Sequence, residues 1–152
     1  MRIREVCQAI SELKIPGLEL KDINNIPAEV GLRSPSVFIP LPNIVTDFSI
    51  VRDSYGGGST ALMTATYSLN YRLLYQAVGT TSGLTLTAFL GMTEMVNKIL
   101  DKIIALDVLD SDHDEVVDIV PVSVINMGIV NDPSDRAFYG CDFAFMVMEF
   151  VN

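Results

Sequence analysis

From Met63 the chain alternates. Ala65, Tyr67, Leu69, Tyr71, Leu73 and Tyr75 fall on one side, and Thr64, Thr66, Ser68, Asn70 and Arg72 on the other. Period-two alternation predicts a long strand with one buried and one wet face. Its threonines and tyrosines suit a pleated surface, where large side chains lie against cross-strand neighbours. The stretch is longer than a usual strand of about five or six residues, so it should cross a central sheet and run past its edge. Upstream, Ile44, Thr46, Phe48 and Ile50 alternate with Val45, Asp47, Ser49 and Val51. Between the two runs stands Gly56-Gly57-Gly58, without a Cβ to hold one backbone conformation, which predicts the tip of a long protruding hairpin. A two-stranded ribbon is weak alone, so its outer half should lean on another element or on a neighbouring subunit.

Helical spacing appears twice. Residues 2–14 place Ile3, Val6, Cys7, Ile10 and Leu13 on one stripe, and Pro16-Gly17 ends the helix. Residues 88–105 place Phe89, Met92, Val96, Ile99 and Ile103 at steps of three or four, with Thr85 or Thr87 as the cap. Met95, Leu100 and Ile104 widen that stripe, which predicts a helix pressed between the sheet and a further element. Leu18-Glu19-Leu20 reads as a brief extended piece. Ser36–Ile39, between Pro35 and Pro40, reads as a short strand, with Pro42 turning the chain afterwards. Ile119–Val124 is rich in β-formers, and 126–137 carries turn chemistry in Gly128, Asn131-Asp132-Pro133 and Asp135. The closing run sets Phe143, Phe145, Val147 and Val151 against Ala144, Met146, Met148 and Phe150. A strand apolar on both faces is central or lies at a subunit boundary. The expected fold is one α+β domain over residues 1–152. Its central mixed or antiparallel sheet carries the long hairpin and is packed by two amphipathic helices.

Composition adds a constraint. Hydrophobic residues make up 49% of the 152 and charged ones 19%, below the roughly 25% of ordinary domains, and mean hydropathy is +0.38. A monomer would have difficulty hiding so much apolar surface, so part of it should be covered by other copies or partners. The net charge of −9 opposes a grip on nucleic-acid phosphates, which needs clustered lysine and arginine, but leaves room for a surface past which DNA slides. Cys7 and Cys141 make no disulfide framework and read as buried thiols in a reducing cytoplasm. No apolar run follows Arg2, Arg4 and Glu5, so no signal peptide is expected. Lys98, Asp101 and Lys102 interrupt the longest apolar segment, so no membrane helix is expected either.

Candidate chemistry is sparse. Asp110, Asp112 and Asp114 have the spacing that opens a calcium loop. Glu115 stands where glycine is needed, and Pro121 where the closing glutamate belongs. A solvated acidic loop is the plainer reading. His113, the single histidine, lies among these acids, and the enzyme alternatives are a hydrolase that pairs it with Ser111 or Ser123 and a metal-assisted hydrolase built on Asp110, Asp112, Asp114 and His113. No nucleophile-elbow pattern supports the first. The run Gly56–Thr60 lacks the lysine of a phosphate loop. The tyrosine row lacks the flanking cations of a single-strand stacking platform. No metal or cofactor is expected.

Taken together, these phrases resemble the tail terminator proteins of long-tailed bacteriophages. The likeness lies in IPGLELKDINNIP (15–27), PSVFIPLP (35–42), DSYGGGSTALMTATYSLNYRLLY (53–75), GLTLTAFLGMTEMVNKIL (83–100), DVLDSDHDEVVDIVPVSV (107–124) and YGCDFAFMVMEFV (139–151). It runs through nearly the whole chain, in order and flavour, in a family without an invariant catalytic motif. The resemblance implies a structural virion protein without enzymatic activity. It would sit at the neck as a ring of six that caps the tail tube, stops its polymerisation and presents a surface to the head-completion or connector protein. Assembly would take place in the host bacterial cytoplasm. A neighbouring neck or tail-completion protein is the alternative. On this reading the loop formed by Arg52, Asp53, Tyr55, Gly56, Gly57, Gly58 and Ser59 is the expected partner or subunit contact. The acids Asp107, Asp110, Asp112, Asp114 and Glu115 are expected near a lumen through which DNA passes as non-specific cargo.

Overall fold

The alternating stretch is the strand around which the sheet is built. In the computed structural model, which describes residues 3–31, 35–52, 63–79, 85–106, 108–109 and 116–151, the elements are α1 (Ile3–Ser11), β1 (Leu18–Leu20), β2 (Ser36–Arg52), β3 (Met63–Ala77), α2 (Thr85–Ile104), β4 (Val108–Leu109), β5 (Val116–Asn131) and β6 (Ala137–Val151). The strands lie in the order β1-β2-β3-β6-β5-β4. Only β1 and β2 are parallel, and every other neighbour is antiparallel. The fold is thus α+β on a mixed sheet. β3 and β6, the two strands with the strongest patterns, lie side by side near its centre, and β2 pairs with β3 as far as Arg52↔Met63.

Alternation places Tyr67, Leu69, Tyr71 and Leu73 of β3 opposite Val147, Phe145, Phe143 and Cys141 of β6, all on one face. That face meets Val6, Cys7 and Ile10 of α1 and Met92, Met95, Val96, Ile99 and Ile103 of α2. Phe38 of β2 completes the centre. Its ring stacks on Tyr71 at 4.9 Å and meets Phe143 edge-on at 5.2 Å, arrangements worth about 0.5–1.5 kcal/mol each beyond the area they bury. Among the described residues the other face of the sheet is covered at one end only, where Val30, Val37, Ile39, Leu74, Ala77, Val130 and Phe138 form a second, smaller cluster. There Gly140 is required. A Cβ at that position would overlap the Leu73 carbonyl oxygen and stand 2.8 Å from Val130 Cγ2.

Four expectations need correction. β2 is one strand of 17 residues, so Pro42 does not turn the chain out of the sheet. The ladder slips between Pro40 and Val45 and again between Thr46 and Ser49, where Asp47 has φ 54°. These are bulges, and beyond Phe38 β2 is an edge strand, where proline is tolerated. Likewise, residues 126–131 belong to β5, not to a turn. Asn126 at φ 56° and Gly128 at φ 149° absorb a register shift, and the chain reverses only at 132–136. α2 begins at Thr85, so Thr87 lies inside the helix instead of capping it. Finally, α2 packs on the sheet by one flank, while Phe89, Leu90 and Ile104 are exposed.

Candidate assembly surface

Two edges of the sheet lack a partner strand among the described residues. β1 covers β2 only at Ser36, Val37 and Phe38, and β4 covers β5 only at Val116 and Val117. Beyond those points each strand presents a row of backbone donors and acceptors. Such edges are ordinarily blunted by charge, since an exposed apolar edge is a template for pairing. β5 carries no charged residue between Asp118 and Asp132. Instead Val120, Val122, Ile125, Met127 and Ile129 are exposed, Ile129 by 61%. Met148 of the adjacent β6 extends the patch on the open face of the sheet. Pro121 and the two bulges of β5 shape the edge without burying it.

The opposite edge also exposes apolar side chains, with the charged and exposed Asp47 and Arg52 among them. Phe48, Ile50 and Val51 of β2 are exposed by 42%, 52% and 61%. Phe48 lies parallel to the ring of Tyr67, with centroids 5.8 Å apart, so one of its faces is covered and the other is open. The bulged part of β2 is pinned from β3. Asn70 Nδ2 donates to the Asn43 carbonyl oxygen at 3.0 Å and to Thr46 Oγ1 at 2.9 Å. Pinned in this way, the arm is a shaped surface.

Buried polar groups hold the strands that carry these edges. Arg72 on β3 grips Asp142 on β6 with Nε and Nη2, and its Nη1 donates to the Asn131 carbonyl oxygen at 3.0 Å. Asn126 Nδ2 donates to the same carboxylate at 2.9 Å, so the bulge of β5 is tied to the centre of the sheet. These hydrogen bonds raise the Arg72 pKa above its ordinary value despite partial burial. At the other end of β6, Tyr67 Oη donates to Glu149 Oε2 at 3.0 Å. Burial first, and the neighbouring Glu149 charge second, push the phenol well above its ordinary range.

As an active site the same surface offers little. Among the described residues no group of three His, Cys, Asp or Glu side chains is placed to hold a metal ion. Burial raises the Cys7 thiol, and burial with the Asp142 charge pushes Cys141 up to about 12. Both stay protonated and unreactive near neutrality. A pocket of about 210 Å³ beside Ile39, Pro40, Pro42 and Pro133 includes Arg72. It is smaller than the usual small-molecule site of roughly 300 Å³ or more, and its cation is already bound to Asp142.

Of the expected contact residues, Arg52 closes the β2–β3 ladder opposite Met63 and is exposed. Asp53, Tyr55, Gly56, Gly57, Gly58 and Ser59 lie outside the described residues, as do Asp107, Asp110, Asp112, His113, Asp114 and Glu115. The β5 edge was not anticipated, because Gly128 and Asn131-Asp132-Pro133 made 126–131 read as a turn. Its signal in the sequence is the thirteen-residue span Ile119–Asn131, which carries no charge at all.

No family model and no curated protein matches the chain. Among the described residues no helix is long and apolar enough to cross a membrane.

Proposed function

We propose that this chain is a structural virion protein that forms a ring at the head-proximal end of a phage tail tube, ends tube polymerisation and joins tail to head. The observation that carries the reading is the pair of sheet edges with exposed apolar side chains, the β5 edge uncharged from Ile119 to Asn131, on a chain with 49% hydrophobic residues. An isolated domain has no use for such edges, and a ring of copies covers them. The chain-long resemblance to tail terminators supplies the kind of ring. Its partners are then further copies of itself, the tube protein on one face and a head-completion or connector protein on the other. DNA passes as cargo, repelled by the net charge of −9.

The test is to image tails assembled with and without the chain by negative-stain electron microscopy. Tubes of uncontrolled length in its absence support termination. Tails of normal length that fail to join heads assign it instead to the neck, and tails unchanged in both respects reject both roles. A metal-assisted hydrolase is checked separately by melting with calcium, magnesium or manganese, which should leave the melting temperature unmoved.

A further inference from the structure

The two open edges are related in a way that specifies how copies join. Ile39 of β2, Arg72 of β3, Asp142 of β6 and Ile125 of β5 are successive register partners, and so are Ser49, Thr66, Met148 and Asp118. The open part of β2 from Ile39 to Ser49 therefore stands at the same height in the sheet as the part of β5 from Asp118 to Ile125. Since β2, β3, β6 and β5 alternate in direction, the two edges also run antiparallel. A second copy set beside the first by rotation about an axis along the strands brings its β2 antiparallel to the first copy's β5. The next copy's β1, beside its Ser36–Phe38, and the first copy's β4, beside Val116 and Val117, lie just beyond the two ends of this window, so the pairing is confined to Asp118–Ile125 and Ile39–Ser49.

We infer that copies of this chain associate head to tail, the β5 edge of one pairing antiparallel with the β2 edge of the next, so that a single sheet continues from subunit to subunit. This rests on the ring-forming reading above and names its interface. Pairing β5 with β5 across a two-fold axis leaves every β2 edge bare, whereas head-to-tail pairing satisfies both and repeats until it closes. Within this window Val120, Val122 and Ile125 on one edge and Phe48 on the other expose apolar side chains, which strand pairing sets side by side. Paired backbone adds to this along the eight-residue span from Asp118 to Ile125, a length of about 27 Å.

The interface is tested with two variants of the full chain, Val120→Cys and Ser49→Cys, treated singly and mixed with a short bismaleimide at micromolar concentration. The native Cys7 and Cys141 are buried and unreactive. Head-to-tail pairing gives crosslinked dimers in the mixture and far fewer with either variant alone. A third variant, Val122→Lys, should raise the concentration needed for assembly, followed by light scattering, at least about tenfold by placing a charge on the edge. Its melting should hardly change, since Val122 is 59% exposed. Efficient crosslinking of Val120→Cys alone gives a two-fold dimer and overturns the inference. So do a chain that stays monomeric, an oligomer that crosslinks in no combination, and crosslinks to tube protein only. Failure of the tail role reads differently: a ring that crosslinks as expected but leaves tube length unchanged keeps the interface and removes the terminator function.

Discussion

Arg72 and Asp142 are direct register partners on β3 and β6, and they are joined by two parallel hydrogen bonds, Nε to Oδ1 at 2.6 Å and Nη2 to Oδ2 at 3.0 Å. The Asp142 side chain is 9% exposed and also accepts from Asn126, whereas a quarter of the arginine side chain reaches solvent. Removing Asp142 leaves a half-buried guanidinium, and the Asn126 amide beside it, without their acceptor, which costs more than the pair is worth. Asp142→Ala should therefore lose about 2–4 kcal/mol in urea unfolding. The double variant Arg72→Met, Asp142→Leu should recover most of that loss. A double variant no more stable than Asp142→Ala would show that the pair contributes through more than mutual neutralisation.

Two tyrosines of the same strand should respond oppositely to loss of the hydroxyl. Tyr67 donates to the buried Glu149, so Tyr67→Phe leaves that carboxylate without one of its donors and should cost about 1–2 kcal/mol. The Tyr71 hydroxyl is buried without an oxygen or nitrogen partner, with the weakly polar Cys7 thiol beside it. Tyr71→Phe removes a polar group that folding has stripped of water, so its stability should be equal or higher by up to about 1 kcal/mol. Denaturant midpoints for the two variants, measured together, decide the contrast.

The sheet was legible where one physical signal acted alone. Along β3 every second residue has to enter the core, and the sequence writes that requirement plainly from Ala65 to Leu73. The same holds for the helical stripes of α1 and α2 and for the two apolar faces of β6. Reading failed where local turn chemistry opposed a strand. Pro40 and Pro42 look like an interruption, but on an edge strand proline is tolerated, and bulges absorb the residues between Pro40 and Val45. Asn126 and Gly128 look like a turn, but the side chain of Asn126 is held by Asp142 across the ladder, and the strand resumes. Such partners are distant in sequence and leave no mark on local pattern. The candidate surface shared this fate, since an exposed apolar edge has the same residues as a buried strand, and only the sheet order shows which side has no neighbour.

Acid should weaken the fold through the reversal between β5 and β6. Asp132 is 4% exposed, and burial alone would raise its pKa. The backbone N–H groups of Val30, Ser134 and Arg136 and the Ser134 hydroxyl all donate to its carboxylate, and together they hold the pKa below its ordinary 3.8. A depressed folded value means the unfolded chain binds the proton more readily. The stabilisation is therefore complete above about 3.8 and is lost as pH falls through the lower folded value. Urea midpoints between pH 6 and about pH 2.5 should decline less steeply for Asp132→Asn than for the unaltered chain. Parallel curves would remove Asp132 from the acid response.

Shortening Gly56 to Gly58 tests whether the connection between β2 and β3 has a task beyond joining them. Among the described residues the β2–β3 ladder already reaches Arg52↔Met63, and both hydrophobic clusters are formed. Removing three glycines should thus leave the denaturant midpoint within about 1 kcal/mol of the unaltered chain, because loop length alone changes closure entropy only slowly. Self-association through the β5 and β2 edges should also persist, since every residue assigned to it lies outside the deleted stretch. A glycine-rich segment gains contacts when it is ordered on a partner, so the expected loss is in tube capping or head joining, seen by electron microscopy of tails completed with the variant. If both steps proceed normally with a shortened tip, the loop is only a connector, and contact with the tail has to be sought on the faces of the sheet instead.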